Sequence, residues 1–377
     1  MKVLFFFPLI VDTRLQFTSK NQLAKAFCNQ GNFMTIFVGY KANKLELDGF
    51  SKVVYVKVNS IFSKFKLYFK SLISAIKDDF DVILLPDRMA VFLPILRFSY
   101  LIFNKKTLLV SDIRTIPVDV PKGYKKYLVE GRFKLGIKFI DMFSDGLTVI
   151  TPATREYIMP NLSRLKRKVG IWTSGVDLVV FKKDGDDYRK ELNLIGKKVI
   201  IYHGVLSENR GIKNVLFTLK KLNEHRNEFA FIILGDGNGK KELIDIAKKN
   251  KITESLIFLD PVKYSEVPKF LRTADCGILP FPDIDWWRVS SPLKLMEYIA
   301  LNLKIVATDI EAHNYVKSIF TEIEISKGNN PQALADAIRK VFNDEKSKFD
   351  LDLIEKHISW NAQAKSLIKY INSLENN

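Results

Sequence analysis

The residues best suited to chemistry in this sequence lie in the run Ser290-Ser291-Pro292-Leu293-Lys294-Leu295-Met296-Glu297-Tyr298. Proline suits the first turn of a helix, where its missing N–H is not needed, and serine suits the cap before it. The spacing therefore predicts a helix start at Ser291 and Pro292. An apolar strand, Cys276–Leu279, and the loop 280–289 precede it. A helix N-terminus at the end of a parallel strand offers unpaired amides and a partial positive charge, which suits a diphosphate. The donors there would be the amides of Leu293 and Lys294 with a hydroxyl of Ser290 or Ser291. Glu297 follows about a turn later, where two carboxylate oxygens can accept both hydroxyls of a ribose. An ordinary capped core helix with Glu297 exposed meets the same pattern, and the run alone does not choose.

The elements that would position this run form two series. In the first, apolar strands at 2–7, 34–38, 53–58, 82–85, 108–111 and 146–150 alternate with helices such as 19–30. The second has strands at 199–202, 229–234, 256–259, 276–279 and 305–307, with helices at 213–223, 240–249, 267–272 and 293–302. The stretches 331–342 and 360–374 also carry helical spacing. Buried Val, Ile and Phe runs between helices indicate parallel sheets covered on both faces. The expectation is an α/β chain of two Rossmann-like, doubly wound parallel-sheet domains, 1–175 and 176–360. The helix 361–377 is expected to pack back on the first domain. A ligand is expected between the domains, near the strands' C-terminal ends.

The second series resembles the retaining glycosyltransferases of family four (group 1), whose GT-B fold has two facing Rossmann-like domains with a cleft between them. The matching segments come in the family's order over roughly residues 172–360, and their joint order carries the specificity. They are Gly175-Val176-Asp177 with Phe181, the run 202–211 from Tyr202 to Gly211, Leu234-Gly235-Asp236-Gly237, and Ala274-Asp275 with Leu279-Pro280. The run 291–300, Val306-Ala307-Thr308-Asp309, Pro331-Gln332-Ala333-Leu334-Ala335 and Trp360 complete the set. The resemblance implies that Arg210 neutralises the leaving diphosphate and Glu297 binds the donor ribose. It implies that the region of Ser290, Ser291 and Leu293 holds the phosphates, that Gly204 and Gly235 let backbone approach the donor, and that Val262 lies by the base. Departure of the diphosphate with same-face attack by the acceptor makes charge stabilisation the main task, which an Arg fork beside a helix terminus supplies without a metal.

The sequence departs from that family at particular places. Val205 stands where a partner arginine is usual, and Val289 where a first acidic residue is usual, eight before Glu297. Lys294 or Arg288 is expected to replace the missing charge. No histidine follows the first-domain strand; Val110-Ser111-Asp112-Ile113-Arg114 occupies that place. Asp112, as a catalytic group, and both Asp112 and Arg114, as acceptor contacts, are therefore candidates, with a surface salt bridge as the competing account of Arg114. Gly235-Asp236-Gly237-Asn238-Gly239 looks like a dinucleotide loop, but its third glycine is misplaced. Asp283-Ile284-Asp285 looks like a metal-binding pair, but it falls in a late loop that reads as a solvated acidic turn. No cofactor and no metal are expected.

Composition bounds the partners. The 377 residues carry a net charge of +17. Residues 1–170 hold 28 Lys and Arg against 13 Asp and Glu, and the remainder 31 against 29, so the excess sits in the first half. Cys28 and Cys276 are too few for a disulfide framework and favour a reducing compartment. Residues 2–7, followed by the polar Asp12-Thr13-Arg14, read as a buried strand and not as a leader. Residues 61–77 form an amphipathic helix with Phe62, Phe65, Phe69, Leu72, Ile73 and Ile76 on one face and Lys66, Lys70 and Lys77 beside it. The apolar face is expected to turn toward the core. With Lys122, Lys125, Lys126 and the run Arg164-Leu165-Lys166-Arg167-Lys168, these lysines point to an anionic partner. The resemblance makes that an anionic membrane surface on the inner face of the cell membrane. No nucleic-acid module is recognisable.

Together these readings predict a cytoplasmic, peripheral glycosyltransferase moving a sugar from a nucleotide-diphosphate-sugar to a glycan or lipid-linked acceptor, in cell-surface polysaccharide synthesis. The alternatives are a GT-B nucleotide-sugar epimerase and a sugar-nucleotide-binding protein of weak or no catalysis.

Overall fold

A computed structural model describes residues 1–11, 18–117, 123–345 and 348–375, with only the backbone described at Thr18 and Lys125. Asp12, Thr13, Arg14 and Lys122 lie outside the described residues. The chain divides into two compact units. The first comprises Met1–Gly175, Val289–Ser291 and Trp360–Asn377; the second comprises Val176–Arg288 and Pro292–Ser359.

The first unit holds a parallel sheet of strands β1 (Lys2–Ile10), β2 (Phe33–Tyr40), β3 (Lys52–Lys57), β4 (Val82–Pro86), β5 (Leu108–Ile113), β6 (Gly146–Val149) and β7 (Val169–Ile171), in the order 3-2-1-4-5-6-7. The buried apolar runs of β1, β2 and β4 show why: strands covered on both faces need no polar alternation. The helix Trp360–Glu375 packs on the helix Thr18–Cys28. Its Tyr370 hydroxyl accepts from the Leu147 amide at 2.7 Å and donates to the Lys168 carbonyl at 2.5 Å. Glycine is needed beneath it, because a Cβ at Gly170 would come within 2.5 Å of the Tyr370 ring.

The second unit holds β8 (Lys198–His203), β9 (Phe229–Leu234), β10 (Leu256–Leu259), β11 (Cys276–Leu279), β12 (Lys304–Thr308) and β13 (Glu324–Ser326), all parallel, in the order 10-9-8-11-12-13. In both units the winding reverses beside the first strand, between β1 and β4 and between β8 and β11. Crevices at such reversals, outside the strands' carboxyl ends, are where open α/β sheets take ligands.

The helix Ile61–Lys77 corrects one expectation. Its buried residues are Leu67, Ser71, Ser74 and Ala75, while Phe62, Phe65 and Phe69 are 82%, 66% and 63% exposed. The small residues set the approach: Tyr100 donates to the Ala75 carbonyl at 2.8 Å, and Leu67 reaches Gly39 of β2. A narrow face of serine and alanine lets the backbone come close, and the aromatic face is left outside.

Candidate active site

The strongest polar constellation gathers at the reversal of the second unit. Strand β8 ends at His203, and Gly204 follows with φ +116°, a conformation that side chains other than glycine's rarely adopt. Gly235, just after β9, is required more strictly: a Cβ there would sit 1.9 Å from the Gly204 carbonyl oxygen. Glu297 projects from the helix Leu293–Ala300 and is buried. Its Oε2 lies 2.6 Å from Nε2 of His203, whose Nδ1 is 3.2 Å from the Tyr298 hydroxyl.

Two basic side chains accompany the carboxylate. Lys294, one turn before Glu297, places its Nζ 5.0 Å from the Tyr202 ring centroid and 5.3 Å from that of Phe281. A Cβ at Gly204 would lie 3.5 Å from the same ammonium. Burial, then the nearby Arg210 guanidinium, push the Lys294 amine down to about 7, against the pull of Glu297. Arg210 stands over the Trp287 ring at 4.9 Å and donates from Nε to Ser207 Oγ at 3.2 Å. Trp287 is in turn held by donation to the Asn209 carbonyl at 2.7 Å and by stacking on Phe281 at 4.1 Å. The arrangement can neutralise a dianion and receive hydrogen-bond donors on a carboxylate close by.

The other expected residues distribute as follows. Val262 lies in the loop after β10; two residues on, Tyr264 is close enough to Glu297 that the carboxylate, after burial, raises its phenol. Leu293 opens the helix, but the expected cap is corrected: Pro292 holds the cap position with φ −72° and ψ 117°, and no side chain caps it. Ser291 is engaged elsewhere, within the first unit. Its Oγ accepts from the Ser174 amide at 3.1 Å, and its carbonyl accepts from the Ser174 hydroxyl at 2.7 Å. Ser290 lies in the same short segment, whose Val289 carbonyl accepts from the hydroxyls of Thr151 and Thr154, both at 2.9 Å. Arg288, the other candidate for the missing charge, is engaged by carboxylates: its fork binds Asp283 at 2.5 and 2.9 Å, with Glu311 at 3.7 Å. That fork holds the Asp283 carboxyl below the usual range. Val205, 53% exposed, brings no charge.

In the first unit, Arg114 and Asp112 sit at the end of β5 and are tied into the scaffold. The Arg114 guanidinium lies 3.4 Å above the Trp172 ring and donates to the carbonyls of Trp172 at 2.6 Å and Thr173 at 3.3 Å. Asp112 accepts from Thr148 at 2.7 Å and lies 4.0 Å from Arg114. This is no surface salt bridge: burial lowers Arg114 to about 10 and raises the Asp112 carboxyl. Lys20, Asp87 and Arg88 share this electrostatic neighbourhood. Burial lowers Lys20 to about 8 and raises Asp87 to about 6.

Sequence reasoning missed His203, Tyr264, Trp287 and Tyr298 in the second unit and Lys20 and Asp87 in the first. The available signal was position, since His203 ends a strand at a sheet reversal and Asp87 directly follows one.

Two parallel Rossmann-like sheets, together with the likeness to solved structures, show an α/β GT-B fold. The family model for glycosyl transferases group 1 matches residues 184–360. The uncharacterized glycosyltransferase MJ1059 of Methanocaldococcus jannaschii is 24% identical over 209 residues, 55% of this chain and 49% of that one. TuaH of Bacillus subtilis, named for teichuronic acid biosynthesis, is 26% identical over 271 residues, 69% of this chain and 65% of that one. The matches thus span about half to two thirds of these relatives' lengths. Among solved structures, Anabaena HepE in complex with UDP aligns over 99% of this chain and 100% of its own, with TM-score 0.74 and 14% identity. Sucrose-phosphate synthase of Thermosynechococcus elongatus aligns over 100% and 99%, with TM-score 0.74 and 13% identity.

Proposed function

We propose that this chain is a retaining glycosyltransferase that takes a sugar from a nucleotide-diphosphate-sugar and passes it to a glycan or lipid-linked glycan in cell-surface polysaccharide synthesis. The observation that carries the reading is the buried Glu297 beside Lys294 and Arg210 at the reversal of the second sheet. Glu297 receives the ribose hydroxyls. Arg210 and Lys294 take the diphosphate, with the Leu293 and Lys294 amides at the helix start, and stabilise the charge that builds on it as the glycosidic bond breaks. This chemistry asks for no metal. The group-1 match and the likeness to a UDP complex support the donor class. The name of TuaH supports the pathway class.

The first unit takes the acceptor in this reading, with Asp112 and Arg114 at the end of β5, Asp87 just after β4, and the neighbouring Lys20 of the helix Thr18–Cys28. We further propose that this unit rests on an anionic membrane surface at the cytoplasmic face. Among the described residues no helix is long and apolar enough to cross a membrane. The support is a surface of neighbouring helices. Ile61–Lys77 exposes Phe62, Phe65 and Phe69, Leu93–Ile102 exposes Phe98 and Leu101, and Tyr124–Phe143 exposes Tyr124, Tyr127 and Leu128. Lys64, Lys66, Lys70 and Lys126 are exposed among them. Aromatics interleaved with lysines suit an anionic lipid interface.

The test is donor turnover by the purified full chain. A panel of UDP-, GDP-, ADP- and dTDP-sugars is screened by thermal shift, then any stabilising donor is incubated with and without membrane extract. Donor consumption that depends on extract supports transfer. Consumption without acceptor identifies an epimerase or hydrolase, and stabilisation without consumption identifies a binding protein. No stabilisation by any donor removes the proposal. The exposed Val205 favours weak turnover as the second reading.

A further inference from the structure

We propose that His203 is a positioning residue for Glu297, and that through it the protein discriminates ribose from deoxyribose in the nucleotide it binds. The inference rests on the ribose-binding reading of Glu297. The hydrogen-bond geometry of the site carries the inference. An ionised carboxylate only accepts, so the 2.6 Å contact to Glu297 Oε2 needs a proton on His203 Nε2. In the neutral ring Nδ1 then accepts, and its partner at 3.2 Å is the Tyr298 hydroxyl. That hydroxyl also donates to the Ile201 carbonyl of the same strand at 3.3 Å, so its one proton is shared between the carbonyl and the ring nitrogen. Burial keeps it a phenol by raising its ionisation well above the usual range, so it always has a proton to give.

The chain of groups is short and rigid. Tyr298 is fully buried, with its ring 5.3 Å from the imidazole, and its ring fills the space that a Cβ at Gly277 of β11 would occupy. Tyr298 and Glu297 are adjacent on one helix, and His203 ends the strand beside β11. The ring thus ties the helix that carries Glu297 to the sheet and holds one carboxylate oxygen in place. The imidazole N–H uses one of about four lone pairs on the carboxylate, which leaves capacity for two ribose hydroxyls. A carboxylate free to swing would lose that geometry while keeping its charge.

The experiment measures affinities of the full chain for UDP, ADP and GDP and for their 2′-deoxy counterparts, in wild type and in variants, by calorimetry. Wild type prefers the ribo form of the nucleotide it binds by roughly tenfold, the worth of one hydrogen bond to a charged group. In H203F the preference falls below about threefold, whereas H203Q, which can still present an N–H, retains most of it. Y298F lowers it in part and serves if H203F does not fold. A role in folding alone would weaken ribo and deoxy forms equally and leave the ratio unchanged. An unchanged ratio in H203F and Y298F, with the ratio lost in E297Q, overturns the positioning role and leaves the Glu297 reading standing. A wild type without preference, or an E297Q that keeps it, overturns both.

Discussion

In the proposed reading three side chains carry the donor chemistry, and each variant has its own expected signature. Glu297→Ala removes hydrogen bonds to a charged acceptor and should weaken nucleoside-diphosphate binding by roughly 10- to 100-fold, measured by calorimetry. Arg210→Ala should lower turnover by roughly 100-fold or more with a smaller change in KM, because leaving-group charge is greatest in the transition state. Unchanged kinetics in both variants would remove the site. Lys294 adds a pH signature. Its amine is held at about 7 in the free protein, and a bound diphosphate favours the ammonium and raises it. Below pH 7 the proton is already present and affinity is flat. Above it, binding must take up a proton, so affinity should fall roughly tenfold between pH 7 and 9. Lys294→Met should bind more weakly and show no slope in that window.

At the scale of elements, the exposed face of the helix Ile61–Lys77 tests the membrane proposal. Replacing Phe62, Phe65 and Phe69 together by serine should abolish most sedimentation with phosphatidylserine-containing vesicles. The melting temperature should stay close to wild type, since these rings are exposed. A large loss of stability would show that the face is core. The helix Glu311–Lys317 offers a separate check. His313 is fully buried, donates from Nδ1 to the Thr308 carbonyl at 2.8 Å, and leaves Nε2 without a partner. Burial lowers it to about 4 from 6.5. Its contribution to stability is therefore complete above pH 6.5 and is lost as pH falls toward 4, about 3 kcal/mol in all. Asp87, raised to about 6, titrates in the same range with opposite sign. The difference between wild type and His313→Phe in denaturant melts isolates the histidine; a pH-independent difference would contradict the assignment.

For the whole molecule, the charge asymmetry predicts that two activities respond differently to salt. The proposed vesicle binding should fall at least tenfold between 0.05 and 0.5 M salt, since the basic first half would contribute to it. The proposed nucleotide binding, which rests on the buried Glu297 and Lys294, should fall less, and parallel losses would tie both to one surface. Much of this organisation was legible in the sequence. The buried strands β8, β9, β11 and β12 announce themselves as apolar runs, because a parallel strand covered on both faces has no alternative composition. The short β7 and β13, with three residues each, carry too little pattern to be seen. The helices Leu93–Ile102 and Tyr124–Phe143 were missed as well; their apolar residues spread over exposed faces and blur the helical period. The order of motifs was legible in the sequence, and Glu297, Arg210 and Lys294 were nominated there, Glu297 by its place one turn into a helix and the two basic residues through the family resemblance. Tertiary structure alone decided which face of the helix Ile61–Lys77 turns inward, which unit holds Ser291, and that His203 grips Glu297. Each depends on residues distant along the chain, where close packing and hydrogen-bond satisfaction choose among partners that local sequence leaves equal.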